Sequence, residues 1–232
     1  MKNSGVHLSE IHPMRKLAQV SVQRRWLPAL VAGSHPLWTH ANVTPSAHIL
    51  VLGDSLSAEY GLARGQGWVA LLEQQLIQQK IPAAITNASI SGETTAGGRA
   101  RLPALLKQHQ PSVVIIELGG NDALRGLPLS GTRDNLRAMT QAAQHSGAQV
   151  LLLGMQMPPN YGQRYTQEFE QLFTQVAQEH QTSLVPFFLK GIADTANPVA
   201  LFQSDRIHPT AQAQPLMLNN IWPLLRKMLA KK

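Results

Sequence analysis

Cysteine is absent from this 232-residue chain, which excludes disulfides, thiolate zinc sites and a cysteine nucleophile. Long apolar runs are absent too. No stretch reaches the roughly 18 consecutive apolar residues of a membrane span, so stable membrane insertion is not expected. Aromatic residues are scarce at 5%, while the hydrophobic fraction of 44% is ordinary for a globular chain. Acidic residues are outnumbered, 13 against 20 Lys and Arg, for a formal charge of +7. Such a balance raises the question of a nucleic-acid partner, and its distribution answers it. Residues 1–41 hold Lys2, Arg15, Lys16, Arg24 and Arg25 against Glu10, a net +4, and the remaining +3 lies on scattered side chains with no basic run beside aromatics. Nucleic-acid binding needs a clustered basic footprint and is not expected.

The first forty residues differ in character from the rest. A basic stretch from Met14-Arg15-Lys16 to Arg24-Arg25 precedes the apolar Trp26-Leu27-Pro28-Ala29-Leu30-Val31-Ala32-Gly33, and Thr39-His40-Ala41 offers a small-x-small cleavage site. Initiation at Met14 would make a leader of about 28 residues, within the roughly 15–30 of a secretory signal. Pro28, His35 and Pro36 interrupt its apolar centre, so the competing reading is an extension that is not exported. The expectation is an export leader over 1–41, a periplasmic or secreted protein with the cytoplasm as the alternative, and one domain over 42–232.

From residue 47 short apolar runs alternate with longer helical patterns. Strands are expected at Ile49–Leu52, Ala84–Ala88, Val113–Leu118, Val150–Gly154 and Leu184–Phe188, and helices near 67–80, 98–109, 131–146, 164–181 and 210–230. The strand runs are continuous rather than alternating, as for strands buried on both faces. Strand, helix, strand at this spacing predicts an α/β fold with a parallel sheet of about five strands covered by helices. His109, His145 and His180 fall near helix C-termini, where an exposed imidazole suits the negative end of the dipole, and Asp134 is expected in the first turn of its helix. These histidines, and His48 at the start of the first strand, are read as structural.

Ligands of parallel α/β sheets bind beyond the carboxyl ends of the strands, and the chemistry-bearing residues gather there. Gly53-Asp54-Ser55 follows the first strand, Asn87-Ala88-Ser89-Ile90-Ser91-Gly92-Glu93-Thr94 the second, and Glu117-Leu118-Gly119-Gly120-Asn121-Asp122 the third. Asp205-Arg206-Ile207-His208-Pro209 precedes the last helix. Serine is a weak nucleophile until an imidazole takes its proton and a carboxylate orients the imidazole. Ser55, His208 and Asp205 supply all three parts. Three residues apart in a turn, Asp205 can reach one ring nitrogen of His208 while the other faces Ser55. Pro209 keeps His208 out of helical geometry and lets the last helix begin directly after it, and Arg206 is expected to face solvent. Gly-Asp-Ser or Gly-Gly-Asn-Asp alone could be a turn; all four segments in this order are far more specific.

In these four segments the sequence resembles the SGNH (GDSL) hydrolases, and in particular their bacterial branch of multifunctional thioesterase I/protease I/lysophospholipase L1 enzymes and related arylesterases. Ala100-Arg101-Leu102-Pro103 and Pro159-Asn160-Tyr161-Gly162 also look like that branch, and the resemblance spans about 47–225. It implies a three-layer α/β/α, flavodoxin-like fold. It further implies Ser55 as nucleophile, His208 as general base and then acid, and Asp205 as its orienting carboxylate. The implied oxyanion hole is the backbone N–H of Ser55, the backbone N–H of Gly92 and the side-chain amide of Asn121, with Asp54 and Asp122 as structural supports. No metal or cofactor is implied. The expected partner is a small-molecule acyl ester or thioester (aryl ester, acyl-CoA or lysophospholipid), hydrolysed by a monomer through an acyl-serine.

The Gly-x-Ser-x-Gly elbow of the α/β-hydrolases, which share the Ser, Asp, His order, is missing. A carbohydrate O-acetylesterase of the same site, or an inactive lipid- or glycan-binding relative, are the alternatives. Apolar residues after the third and fourth strands, Leu124, Leu127, Met157, Pro158 and Tyr161, are candidates to grip an acyl chain with little directional demand. Glu59, in Glu59-Tyr60-Gly61, is read as a solvated helix residue, with a rim that repels anionic substrates as the alternative.

Overall fold

The apolar runs become five strands in a computed structural model that describes residues 46–230: β1 (Ala47–Gly53), β2 (Ala83–Asn87), β3 (Val113–Glu117), β4 (Gln149–Leu153) and β5 (Ser183–Val185). The leader expected over 1–41 lies outside the described residues. All strand pairings are parallel and the order is β2-β1-β3-β4-β5. The chain therefore leaves β1 toward β2 and then returns to β1's other side as β3. That reversal opens a crevice between the carboxyl ends of β1 and β3, where Gly53 stands opposite Glu117.

Six helices complete the described fold: α1 (Trp68–Gln78), α2 (Thr95–His109), α3 (Gly120–Leu124), α4 (Leu129–His145), α5 (Gln163–Glu179) and α6 (Gln214–Ala230). α1 packs with α6, whereas α4 packs with both α2 and α5, so helices cover both faces of the sheet. Every residue of β3, and Ile49–Leu52 of β1, is buried. β2 is only half-buried, with Asn87 exposed, because it lies at an edge of the sheet. No helix of the described residues is long and apolar enough to cross a membrane.

Several boundaries move from their expected places, each for a local reason. β5 stops at Val185 rather than Phe188 because Pro186 follows and has no N–H for the ladder. β4 stops at Leu153, although Gly154 still donates to the Val185 carbonyl at 2.8 Å and accepts from Phe188 N–H at 2.8 Å. α2 starts at Thr95, not 98, capped by the Thr94 hydroxyl, and runs through Gly97 and Gly98. At Gly98 a Cβ would stand 2.3 Å from Leu118 Cδ1, so the glycine that weakens the helical pattern is what lets α2 close on Leu118, just past β3. Because α4 begins at Leu129, Asp134 is not in its first turn; its carboxylate meets Arg137 at 3.3 Å. The last helix does not begin directly after Pro209, since a 3₁₀ turn at Ala211–Ala213 comes first.

Candidate active site

At the end of β1 the backbone turns at once. Ser57 and Ala58 N–H groups both donate to the Asp54 carbonyl, and Leu56 N–H donates to Asp54 Oδ1 at 3.0 Å. Ser55 is thereby lifted out of the strand and left half-buried. Across the crevice, residues 202–209 close on themselves: Phe202 bridges Pro209, and Gln203 N–H donates to the His208 carbonyl at 2.7 Å. Arg206 takes a left-handed φ of 57° inside this loop, a conformation that costs an L-residue. The turn lets Asp205 Oδ1 accept from the N–H groups of Ile207 (2.9 Å) and His208 (3.0 Å). Asp205 Oδ2 lies 2.7 Å from His208 Nδ1, and His208 Nε2 lies 2.8 Å from Ser55 Oγ. Desolvation pushes the Asp205 carboxyl up, but the His208 and Ile207 N–H bonds and the imidazole outweigh it, so it titrates at about 2. The carboxylate is thus fully charged wherever the imidazole needs orienting.

The expected oxyanion donors surround the same serine turn. Gly92 has φ +78° and its carbonyl accepts from Arg125 Nη2 at 2.7 Å. The loop holding it is tied down by Ile90 N–H on the Gly53 carbonyl and by Asn87 Nδ2 on the Ser57 carbonyl at 2.7 Å. Asn121 stands on α3, a five-residue helix that follows Gly119 at φ +119°. Its Nδ2 donates to Asp54 Oδ2 at 3.0 Å, which uses one of two amide hydrogens and leaves the other free. Asp122 turns away into a buried cluster, accepting from Thr95 N–H (2.8 Å), the Thr95 hydroxyl and the Thr132 hydroxyl (3.4 Å).

Glu59 is not the solvated helix residue expected: it has φ +58°, and its carboxylate folds back to accept from the N–H groups of Gly65 and Gly67, which lead into α1. His48 is structural, bonded to the His109 carbonyl and Thr86 hydroxyl at 2.8 Å each. Of the helix-end histidines only His145 is exposed; His109 and His180 are half-buried. Arg206 is exposed as expected. Ser57 is buried and bonded to Glu117 Oε2 at 2.8 Å.

The apolar candidates divide. Met157 and Pro158 line a cavity of about 490 Å³ together with Phe187, Pro198, Val199, Phe202 and Arg206. Its lining reaches the His208 loop through Arg206, while Ser55 itself does not line it. Leu124 and Leu127 are exposed beside α3 rather than in this cavity, and Tyr161 faces a separate shallow groove with Arg164 and Glu168. Sequence reasoning missed this contribution: Phe187 falls inside the expected fifth strand, and 193–202 has neither strand nor helix periodicity. It also missed two residues at the centre of the site. Glu117 is completely buried beneath the nucleophile turn, and its signal was an acid ending a wholly apolar strand. Tyr60 lays its ring on the His208 imidazole, with centroids 4.3 Å apart and planes inclined by 36°.

Residues 51–215 match the GDSL-like lipase/acylhydrolase family. The chain belongs to that family. It is accordingly an acylhydrolase. Esterase TesA of Pseudomonas aeruginosa is 50% identical over 181 residues, covering 78% of this chain and 89% of that protein. Thioesterase 1/protease 1/lysophospholipase L1 of Escherichia coli K12 is 44% identical over 169 residues, 73% of this chain and 78% of the relative. An arylesterase of Vibrio mimicus is 42% identical over 170 residues, covering 73% and 84%. A crystal structure of TesA superposes with a TM-score of 0.75 over 78% of this chain and 99% of that one.

Proposed function

We propose that this acylhydrolase cleaves carboxylic esters and thioesters through an acyl-enzyme on Ser55. The observation that carries the reading is the unbroken relay from Asp205 Oδ2 through His208 to Ser55 Oγ, at 2.7 and 2.8 Å. Ser55 Oγ attacks the acyl carbon as His208 Nε2 takes its proton. Asp205 accepts from Nδ1–H, which fixes the tautomer and favours the imidazolium that forms. The N–H of Ser55, the N–H of Gly92 and the free Nδ2–H of Asn121 receive the charge that develops on the carbonyl oxygen. His208 then protonates the departing alkoxide or thiolate. Water enters by the same route and the serine is released. Every group in this sequence lies on one chain, so the proposed chemistry calls on no second subunit.

The substrate reading rests on the cavity beside the His208 loop. Its walls are mainly apolar, its volume of about 490 Å³ is that of a small-molecule site, and Met157 adapts to chains of different shape. We assign it to the acyl chain of aryl, alkyl or thiol esters, including lysophospholipids. The leader reading over 1–41 belongs with this proposal and places the enzyme in the periplasm or outside the cell. A fluorophosphonate probe tests the mechanism. Labelling of the folded protein is expected at Ser55 and absent in Ser55→Ala; labelling that survives the substitution would move the nucleophile elsewhere. Turnover of acetylated sugars with inert acyl-CoA and aryl esters would replace the substrate reading by the carbohydrate one.

A further inference from the structure

We propose that Tyr60 is the leaving-group platform of this site, and that its open ring face makes the enzyme selective for esters with an aromatic leaving group. The inference rests on the assignment of His208 as the acid that protonates the leaving oxygen. When the tetrahedral intermediate collapses, the acyl C–O bond breaks and its electron pair goes to that oxygen. The oxygen takes its proton from His208 Nε2, so it must lie within hydrogen-bond reach of that nitrogen. Whatever the oxygen carries is therefore held beside the imidazole. The ring centroid of Tyr60 is 4.3 Å from that imidazole. A phenyl group on the leaving oxygen then has the Tyr60 ring as its neighbour, and aromatic rings attract one another at centroid separations of ~4.5–7 Å.

Burial and anchoring separate this role from simple packing. A tyrosine that only buttressed His208 would be covered, yet Tyr60 is 50% exposed beside an imidazole whose own side chain is 15% exposed. Its backbone is nevertheless held in place, and the ring rests on the imidazole. Tyr60 N–H donates to the Ser55 carbonyl, and its own carbonyl accepts from Gln203 Nε2 at 2.9 Å. The same Gln203 amide donates to the Pro209 carbonyl at 3.2 Å, so one side chain ties the tyrosine to the His208 loop. On the other side, Glu59 is locked at φ +58° by the Gly65 and Gly67 N–H groups. An exposed aromatic fixed in advance loses little freedom when a second ring stacks on it.

Phenyl and cyclohexyl butyrate deliver the same acyl group from leaving groups of similar size, only one of them aromatic. In Tyr60→Leu the ratio of their kcat/KM values should fall about 3- to 10-fold, the usual worth of an aromatic pair; in Tyr60→Phe it should stay within about twofold of wild type. Breakdown of the butyryl-enzyme, from which the leaving group has gone, should be equal for the two esters in every variant. On the wild-type protein phenol should inhibit competitively at lower concentration than cyclohexanol, a comparison that needs no variant to fold. An equal loss on both esters, or phenol no better than cyclohexanol, would overturn the proposal by reducing Tyr60 to a support for His208. If fluorophosphonate fails to label wild-type Ser55, the acyl-serine reading falls together with it; labelling with an unchanged ester ratio rejects only the platform.

Discussion

Beneath the nucleophile lie two carboxyl groups that solvent does not reach, Asp54 at 3% and Glu117 at 1% exposure. Burial pushes Asp54 up to about 6, against the Leu56 N–H, Glu117 and Asn121 hydrogen bonds that favour its charge. Burial first, and then the charge on Asp54, push Glu117 well above the ordinary carboxylate range. Both carboxyls are thus reluctant to ionise, and Asp54 also orients Asn121 by accepting from its Nδ2 at 3.0 Å. A raised carboxyl pKa means that the folded state holds a proton which the unfolded chain releases. The stability Glu117 contributes is complete below the unfolded value of 4.5 and is lost as pH rises toward the folded one. Glu117→Gln, neutral at every pH and still able to accept from the Ser57 hydroxyl and Asp54 N–H, should gain in melting temperature over wild type progressively from pH 4 to pH 8 in parallel thermal melts. Glu117→Leu should lose about 1–3 kcal/mol at pH 7, because the Ser57 hydroxyl and Asp54 N–H lose their buried acceptor. Replacing Asn121 by Ala should lower kcat about 10²–10³-fold with little change in KM, the cost of one oxyanion donor; steady-state kinetics on a single aryl ester reads both.

The ends of the strands carry the next scale of constraint. Gly154 is where β4 must pass the chain leaving β5, and a Cβ there would stand 2.3 Å from the Pro186 carbonyl oxygen. That oxygen belongs to backbone and cannot swing aside, unlike the Leu118 side chain opposite Gly98. Gly154→Ala should therefore destabilise the fold by more than about 2 kcal/mol, read as a lower urea midpoint at unchanged slope. The order of elements was legible because strands buried on both faces write continuous apolar runs, as Val113–Glu117 and Gln149–Leu153 do apart from their polar ends. Their exact ends were less so: Pro186 ends β5 locally, whereas Gly98 serves a contact with Leu118 that local propensity does not register. Glu59 shows the same limit: its left-handed backbone is set by amides six and eight residues onward, which no helical pattern records.

Taken as a whole, the molecule separates the pH responses of its site. Asp205 is held down at about 2, so its contribution is present above the ordinary carboxylate value and fades only as pH falls toward 2. The acid limb of kcat/KM is then left to the proposed base, His208, and to Asp54, which is pushed up to about 6 and holds Asn121. A bell or sigmoid falling below neutral is expected in an initial-rate profile, and a flat profile from pH 5 to 8, with acylation limiting, would count against His208 as the base. The domain reading makes a separate demand: a chain beginning at Asn42 should melt and turn over an aryl ester as the full chain does, and N-terminal sequencing of the exported protein should find cleavage after Ala41. The sequence by itself determined which residues are candidates for the chemistry. Ser55, Asp205, His208, Gly92 and Asn121, the proposed nucleophile, orienting acid, base and donors, sit in short motifs each confined to one loop. Only the tertiary structure decided what surrounds them. The ring of Tyr60 on His208, the buried Glu117 carboxyl under the Asp54 turn and the apolar cavity from Met157 to Phe202 each join segments distant in the chain. Such contacts depend on how helices, loops and strand ends pack, and a local pattern of residues does not encode them.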